Sequence, residues 1–291
     1  METDLLTRRR PPILRPLPPS KRVSYAKSMT IALGILTGDG VVVAADTLET
    51  RGAGFPKTNI PKILTGGTTG KTGCGCYAVT GAGDSSYLNG IKQEIADLFL
   101  NHSRAGTVNS AFEPDLKKLV RRFHVQHIIP FAKYPDYERP SIDLVVASSH
   151  SHSHRLWVTN RTDTSTAFPY ATVGCGSGYA KALLDRLSLP WADIKLVKIV
   201  AAYVIFSTKN NVEGCGGNTH IATVSGDIAE YLPRDVIDEM EKSFSAYNGI
   251  EARAFYYSIG YPSESQSEDL GKLSSWFDSL RADFVGLAAK M

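Results

Sequence analysis

The sequence predicts an α+β fold in which two antiparallel sheets are stacked between layers of helix. Three observations carry that expectation. Apolar strand-like runs come in adjacent pairs joined by short turns, helical periodicities also come in pairs, and the order ββ, ββ, αα, ββ, αα, β never settles into strand–helix alternation. A parallel βαβ plan is therefore not expected. With 291 residues and 43% hydrophobic content there is material for one large core.

The elements follow in order. Residues 1–29 contain RRRPPILRPLPPSKR, in which proline removes backbone donors and like charges repel, so this stretch is expected outside the core as a leader or over-extended start. At Thr30 the texture changes. TIALGIL and VVVAAD flank a Gly-Asp-Gly turn and read as a hairpin buried on both faces. KILTGG (62–67) and CGCYAVTGAG (74–83) form a second strand pair across a Gly/Thr-rich turn. Asp84 is placed to cap a helix carrying Leu88, Ile91, Ile95 and Leu98, and Leu116, Leu119, Val120 and Phe123 repeat helical spacing after Pro114. IDLVVAS (142–148) and RLWVTN (155–160) are strands again, joined by a His/Ser turn. Helices are expected over 178–187 and 194–208, the second apolar all round and hence buried. NTHIATVSG is a closing strand, and from about residue 230 at least two helices carry Trp276, Phe277, Leu280 and Phe284 on one stripe. Residues 30–291 thus read as a single domain with a helical C-terminal extension.

Charge and composition exclude several function classes. The net charge is +3, and the basic residues before Thr30 account for more than all of it, leaving the remainder slightly acidic. Such a balance offers no footprint for nucleic acid or an anionic membrane. No apolar run is long enough to span a bilayer, and the N-terminus lacks a secretory apolar stretch, so a cytoplasmic location is expected. Cys74, Cys76, Cys175 and Cys215 are spaced too irregularly for a disulfide scaffold or a structural zinc site, so reduced thiols, no metal and no cofactor are expected. His150, His152 and His154 would share one face of an extended segment, and a solvated hairpin tip is preferred to a ligand set. His124 and His127, one helical turn apart, are assigned packing or surface roles.

The first hairpin carries the chemistry. Antiparallel pairing across the turn brings Thr30 opposite a residue between 47 and 49, so Asp46 ends close to it. A carboxylate closing an apolar strand needs a partner, and the nearest following basic residue that also opens a strand is Lys62. The two separations, Thr30 to Asp46 and Asp46 to Lys62, are both sixteen residues. A threonine hydroxyl needs a base within reach. As a first residue Thr30 would bring its own, an α-amine with a reference pKa of about 7.7–8.0. Lys62 would lower that pKa further, and Asp46 would orient the lysine. Met29, directly before Thr30, reads as the true start or as the residue after which a leader is cut. Without a freed Thr30, Asp46 and Lys62 read as a structural ion pair.

These offsets, together with the segments DGVVVAADTLET, VTGAGD and ATVGCGSGYAKALLD, resemble proteasome β subunits and their bacterial relatives, N-terminal-nucleophile threonine peptidases, from Thr30 to about residue 225. The resemblance implies a four-layer αββα sandwich with Thr30, Asp46 and Lys62 as catalytic residues and the Gly81 N–H as oxyanion donor. Thr50 would hold substrate backbone, and Val79 would line the pocket for the side chain preceding the cut bond, favouring apolar or small residues. The outer group departs from the family pattern. In the resembling family a serine in a Gly-Ser-Gly turn, and an aspartate and serine before a Gly-Gly pair, complete the site near the threonine amine. Here Cys175, counted with the catalytic residues, stands at the first serine position, while NNVEGCGG puts Cys215 on the second serine and Val212 on the aspartate, leaving Asn211 and Glu213 as candidate substitutes. Were the two cysteines to converge, they could pair under oxidation, although buried reduced thiols are the preferred reading. Also implied are polypeptide substrates, a homo-oligomeric ring or related assembly, and an ATP-dependent unfoldase as candidate partner. Two other readings stay open at this point: an N-terminal-nucleophile amidohydrolase acting on a small amide, and a catalytically silent scaffold subunit.

Overall fold

The computed structural model describes residues 30–49, 58–68, 75–134, 139–187, 192–258 and 266–291. The leader expected over residues 1–29 and the substrate-holding Thr50 lie outside the described residues. Strands β1 (Ile31–Leu36) and β2 (Val41–Asp46) form the expected hairpin, buried along almost its whole length. Alternation along these strands sets the layers. Ile31, Leu33, Ile35, Val42 and Ala44 face helices, while Ala32, Val41, Val43 and Ala45 face the second sheet.

Three more strands complete the first sheet: β10 (Tyr170–Gly174), β11 (Thr219–Ser225) and β12 (Ile228–Tyr231), in the order β10-β1-β2-β11-β12. The second sheet runs β5 (Leu64–Thr68), β6 (Gly75–Gly83), β7 (Ile142–His150), β8 (Ser153–Asn160) and β9 (Asp163–Thr166). Both are antiparallel throughout. A small ladder, β3 (Leu48–Glu49) with β4 (Thr58–Asn59), stands apart from both.

Helices α1 (Ser85–Arg104) and α2 (Val108–Phe123) cover the outer face of the second sheet, where Phe99, Phe112 and Leu116 pack against Val79, Leu144, Val146 and Trp157. On the far side, α3 (Ser177–Leu187) and α4 (Ile194–Asn211) cover the first sheet, and α4 is buried nearly all round, as its apolar circumference predicts. Helices α5 (Arg234–Ser258) and α6 (Gln266–Lys290) pair with each other, and Met240, Phe244 and Leu287 join the core beneath α4. The result is the four-layer αββα sandwich. The sheets approach closely because their facing residues are small. At Gly34 even a methyl would lie 2.7 Å from Leu156 Cδ1 and 2.8 Å from Val145 Cγ1. No described helix is long and apolar enough to cross a membrane.

Several local expectations need correction. Helix α2 begins at Val108, so Pro114 sits inside it. Proline there removes the donor to the Ser110 carbonyl, but buried Val108 and Phe112 hold the first turns in place. The β7–β8 turn is confined to Ser151 and His152, both with positive φ. His150 and His154 therefore lie within strands, and only His152 is at an exposed tip. His150 pairs with Ser153 and His154 with Ser149, which puts the two imidazoles on opposite faces of the sheet. Phe277 is 45% exposed, off the stripe on which Leu280 and Phe284 pack.

Candidate active site

The β1–β2 ladder runs from Leu36↔Val41 to Ala32↔Ala45, and continuing its register sets Thr30 opposite Thr47. Asp46, the last residue of β2, pairs on its other side with Thr219 of β11. It is therefore an interior position, and Asp46 is fully buried. Four donors meet its carboxylate. Oδ1 accepts from the Thr30 hydroxyl, from Lys62 Nζ at 2.7 Å and from Ile31 N–H at 3.3 Å, while Oδ2 accepts from Gly216 N–H at 2.9 Å. Such a shell offsets the desolvation of a buried charge.

Lys62 precedes β5 and points its ammonium at the same spot. Its three N–H groups go to Thr30 Oγ1, to Asp46 Oδ1 and to the Leu48 carbonyl at 2.7 Å. An ammonium with three donors and three acceptors has no lone pair with which to take the Thr30 proton. In that form it stabilises charge on Oγ1 and leaves the proton to a different group. The Thr30 hydroxyl itself donates to Asp46 Oδ1.

The Thr30 main chain is held as well. Its carbonyl accepts from Gly176 N–H at 3.3 Å and from Cys175 Sγ at 3.4 Å. Gly174 makes this possible: its φ is +97°, and a Cβ there would lie 2.3 Å from the Thr30 carbonyl oxygen. Cys175 Sγ also stands 3.5 Å from Cys215 Sγ and 3.7 Å from the Glu213 carbonyl. Burial and the neighbouring sulfur push the Cys215 thiol well above its ordinary range.

The remaining sequence-predicted residues fall as follows. Gly81 lies on β6 opposite Leu144. Asp84 N–H donates to Ser141 O, so by alternation the polar backbone groups of Gly81 point away from β7, toward the side where β5 runs. Leu64 pairs with Val79, so Gly81 occupies the rung that the same register would give Lys62. Val79 exposes none of its surface and packs beneath α1 and α2 with Leu88 and Ile91. The pocket-lining role expected for it has no surface to act through. Asn211 and Glu213 do not replace the family aspartate. The Asn211 amide turns back to the Ser207 carbonyl, and the Glu213 side chain is exposed.

Sequence reasoning missed Lys92. This α1 lysine is buried and donates to the Lys62 carbonyl at 3.1 Å. Desolvation, followed by the charge of Lys62, lowers its pKa to about 8. Gly216 was legible as part of a Gly-Gly motif, though not as the donor to Asp46.

No protein-family model matches the sequence, and no curated protein matches it. Solved structures do match in shape. The fold is that of the Anbu structures. Anbu (ancestral beta-subunit) from Yersinia bercovieri superposes with a TM-score of 0.62 at 15% identity, covering 80% of this chain and 98% of its own. An Anbu (Gly-1) mutant from Hyphomicrobium sp. strain MC1 gives 0.61 at 15% identity over 79% and 99% of the two chains. The helical assembly of the Anbu complex from Pseudomonas aeruginosa gives 0.60 at 17% identity over 81% and 99%. These neighbours correct the family expected from the sequence. All three are Anbu proteins rather than proteasome β subunits, and at such identities the likeness to Anbu extends to the fold alone.

Proposed function

We propose that the chain, once the bond before Thr30 is cut, is a threonine-type endopeptidase acting on polypeptides within a homo-oligomer. The observation that carries this reading is the three-way contact of the Thr30 hydroxyl, the Asp46 carboxylate and the Lys62 ammonium. All three residues are buried, where charge–charge and charge–dipole interactions are least screened.

The freed amine takes the hydroxyl proton and Oγ1 attacks the substrate carbonyl. Lys62 supplies positive charge beside Oγ1 throughout, and Asp46 fixes its position. The Gly81 N–H receives the developing oxyanion. The protonated amine then returns its proton to the leaving nitrogen, and water hydrolyses the resulting acyl ester. Assembly is supported by the Pseudomonas aeruginosa Anbu complex, whose structure is described as a helical assembly.

Hydrolysis of fluorogenic peptides by the purified protein, with native mass spectrometry on the same sample, tests the reading. Activity in an oligomer that disappears in Thr30→Ala supports it. Activity retained in Thr30→Ala contradicts it, as does a monomer that cleaves only small amides.

A further inference from the structure

We infer that Cys175 and Cys215 are an oxidisable dithiol that closes to a reversible disulfide and, in doing so, slows the chemistry at Thr30. The first half stands on geometry alone; the second rests on the threonine reading above.

The two sulfurs come from segments forty residues apart in sequence and stand 3.5 Å apart. A disulfide needs about 2.05 Å between sulfurs, so closure asks for a shift of roughly 1.5 Å shared by two residues next to glycines. Cys175 lies between Gly174 and Gly176, and Cys215 between Gly214 and Gly216. The two thiols are unequal. Cys175 is half-buried, whereas Cys215 is buried. An oxidant therefore meets Cys175 first.

With hydrogen peroxide as oxidant the steps balance. The Cys175 sulfur attacks the peroxide oxygen and becomes a sulfenic acid, releasing one water. The Cys215 sulfur then displaces the sulfenic oxygen, which leaves with the thiol proton as a second water. Two thiols lose two electrons and two protons, and the peroxide takes them up.

Both cysteines are tied to the site. Cys175 donates its thiol proton to the Thr30 carbonyl at 3.4 Å, a bond that a disulfide cannot make. Cys215 is followed by Gly216, whose N–H holds Asp46 Oδ2 at 2.9 Å. Closing the pair removes one contact to the nucleophile and pulls on a donor to its carboxylate. Cys76 is an internal control. It is fully buried, its thiol faces the Ile228 carbonyl at 3.1 Å, and burial pushes its pKa up to about 12.

The test treats the full chain with hydrogen peroxide, blocks remaining thiols and maps the peptides by mass spectrometry. Thr30 labelling by an electrophile that captures a terminal hydroxyl and amine is followed in parallel. A cross-linked Cys175–Cys215 peptide that forms in the wild type, reverts with dithiothreitol and is missing in Cys215→Ser supports the dithiol. Labelling should fall roughly two- to ten-fold on oxidation, recover on reduction and lose its peroxide sensitivity in Cys215→Ser. Cys175 driven to sulfinic acid, or left unmodified, without any cross-link overturns the proposal. A cross-link that leaves labelling unchanged overturns the coupling to Thr30. Reduced protein that takes no label counts against the threonine reading only, because the peptide map decides the dithiol by itself.

Discussion

Asp46 Oδ2 accepts the Gly216 N–H at 2.9 Å, joining the carboxylate that closes the first hairpin to a turn 170 residues further along the chain. The other carboxylate oxygen serves Thr30, Ile31 and Lys62, so one side chain organises three separate segments. Removing it as Asp46→Ala strands the buried Lys62 ammonium without a counter-charge. The expected loss is about 3–5 kcal/mol, read from the urea midpoint at constant m-value. Lys62→Met should cost less, because Asp46 keeps two backbone N–H donors. Equal or reversed losses would put the organising role elsewhere.

Gly174 holds the Thr30 carbonyl in place from a backbone conformation that side chains resist. Gly174→Ala meets both the positive φ and a 2.3 Å approach to that oxygen, and should destabilise by about 1–3 kcal/mol while lowering Thr30 labelling. Gly178, near the start of α3, has open space around its Cβ position. Gly178→Ala should be neutral or stabilise by up to about 1 kcal/mol. Thermal melts of the two variants separate local strain from a general sensitivity of this segment.

Lys92 gives the site a pH signature. Its folded pKa of about 8 lies below the ordinary 10.5, chiefly through burial and then through the charge of Lys62. Between those values the unfolded chain binds the proton and the folded chain does not, so this residue makes stability rise with pH across that window. Below about pH 8 the folded protein carries the cost of a buried charge. Wild type minus Lys92→Met, measured by denaturant unfolding from pH 7 to 10, should show that rising difference. A flat or falling difference would mean that Lys92 is better solvated than its burial suggests.

Much of this arrangement is legible in the sequence because burial on both faces leaves a strong mark. The β1–β2 hairpin, β6 and α4 are nearly continuous apolar runs, and each is found where composition alone puts it. The four-residue strands β9 and β12 are mostly exposed, β9 polar throughout and β12 too short to show a period, so they pass for loop. Half-buried β10 is hidden in the same way by the Gly-rich turn that follows it. At the site, equal spacing along the chain pointed to Asp46 and Lys62, since a hairpin converts sequence distance into contact. Lys92 left no such trace, because a lysine on an amphipathic helix reads as solvated unless its neighbour across the fold is known. Val79 failed for a related reason: alternation fixes that its side chain leaves the strand on one face, but not whether that face meets a cleft or a helix layer.

In the proposed mechanism Thr30 acts as a terminal residue whose own amine is the base. N-terminal sequencing of active protein, combined with an electrophile that must bond both the amine and the hydroxyl of one residue, tests it most directly. The predicted result is a chain beginning at Thr30, labelled once at that residue, with the label lost in Thr30→Ala and nearly lost in Lys62→Ala. Active protein that still begins at or before Met29, or a label that persists in Thr30→Ala, would contradict it.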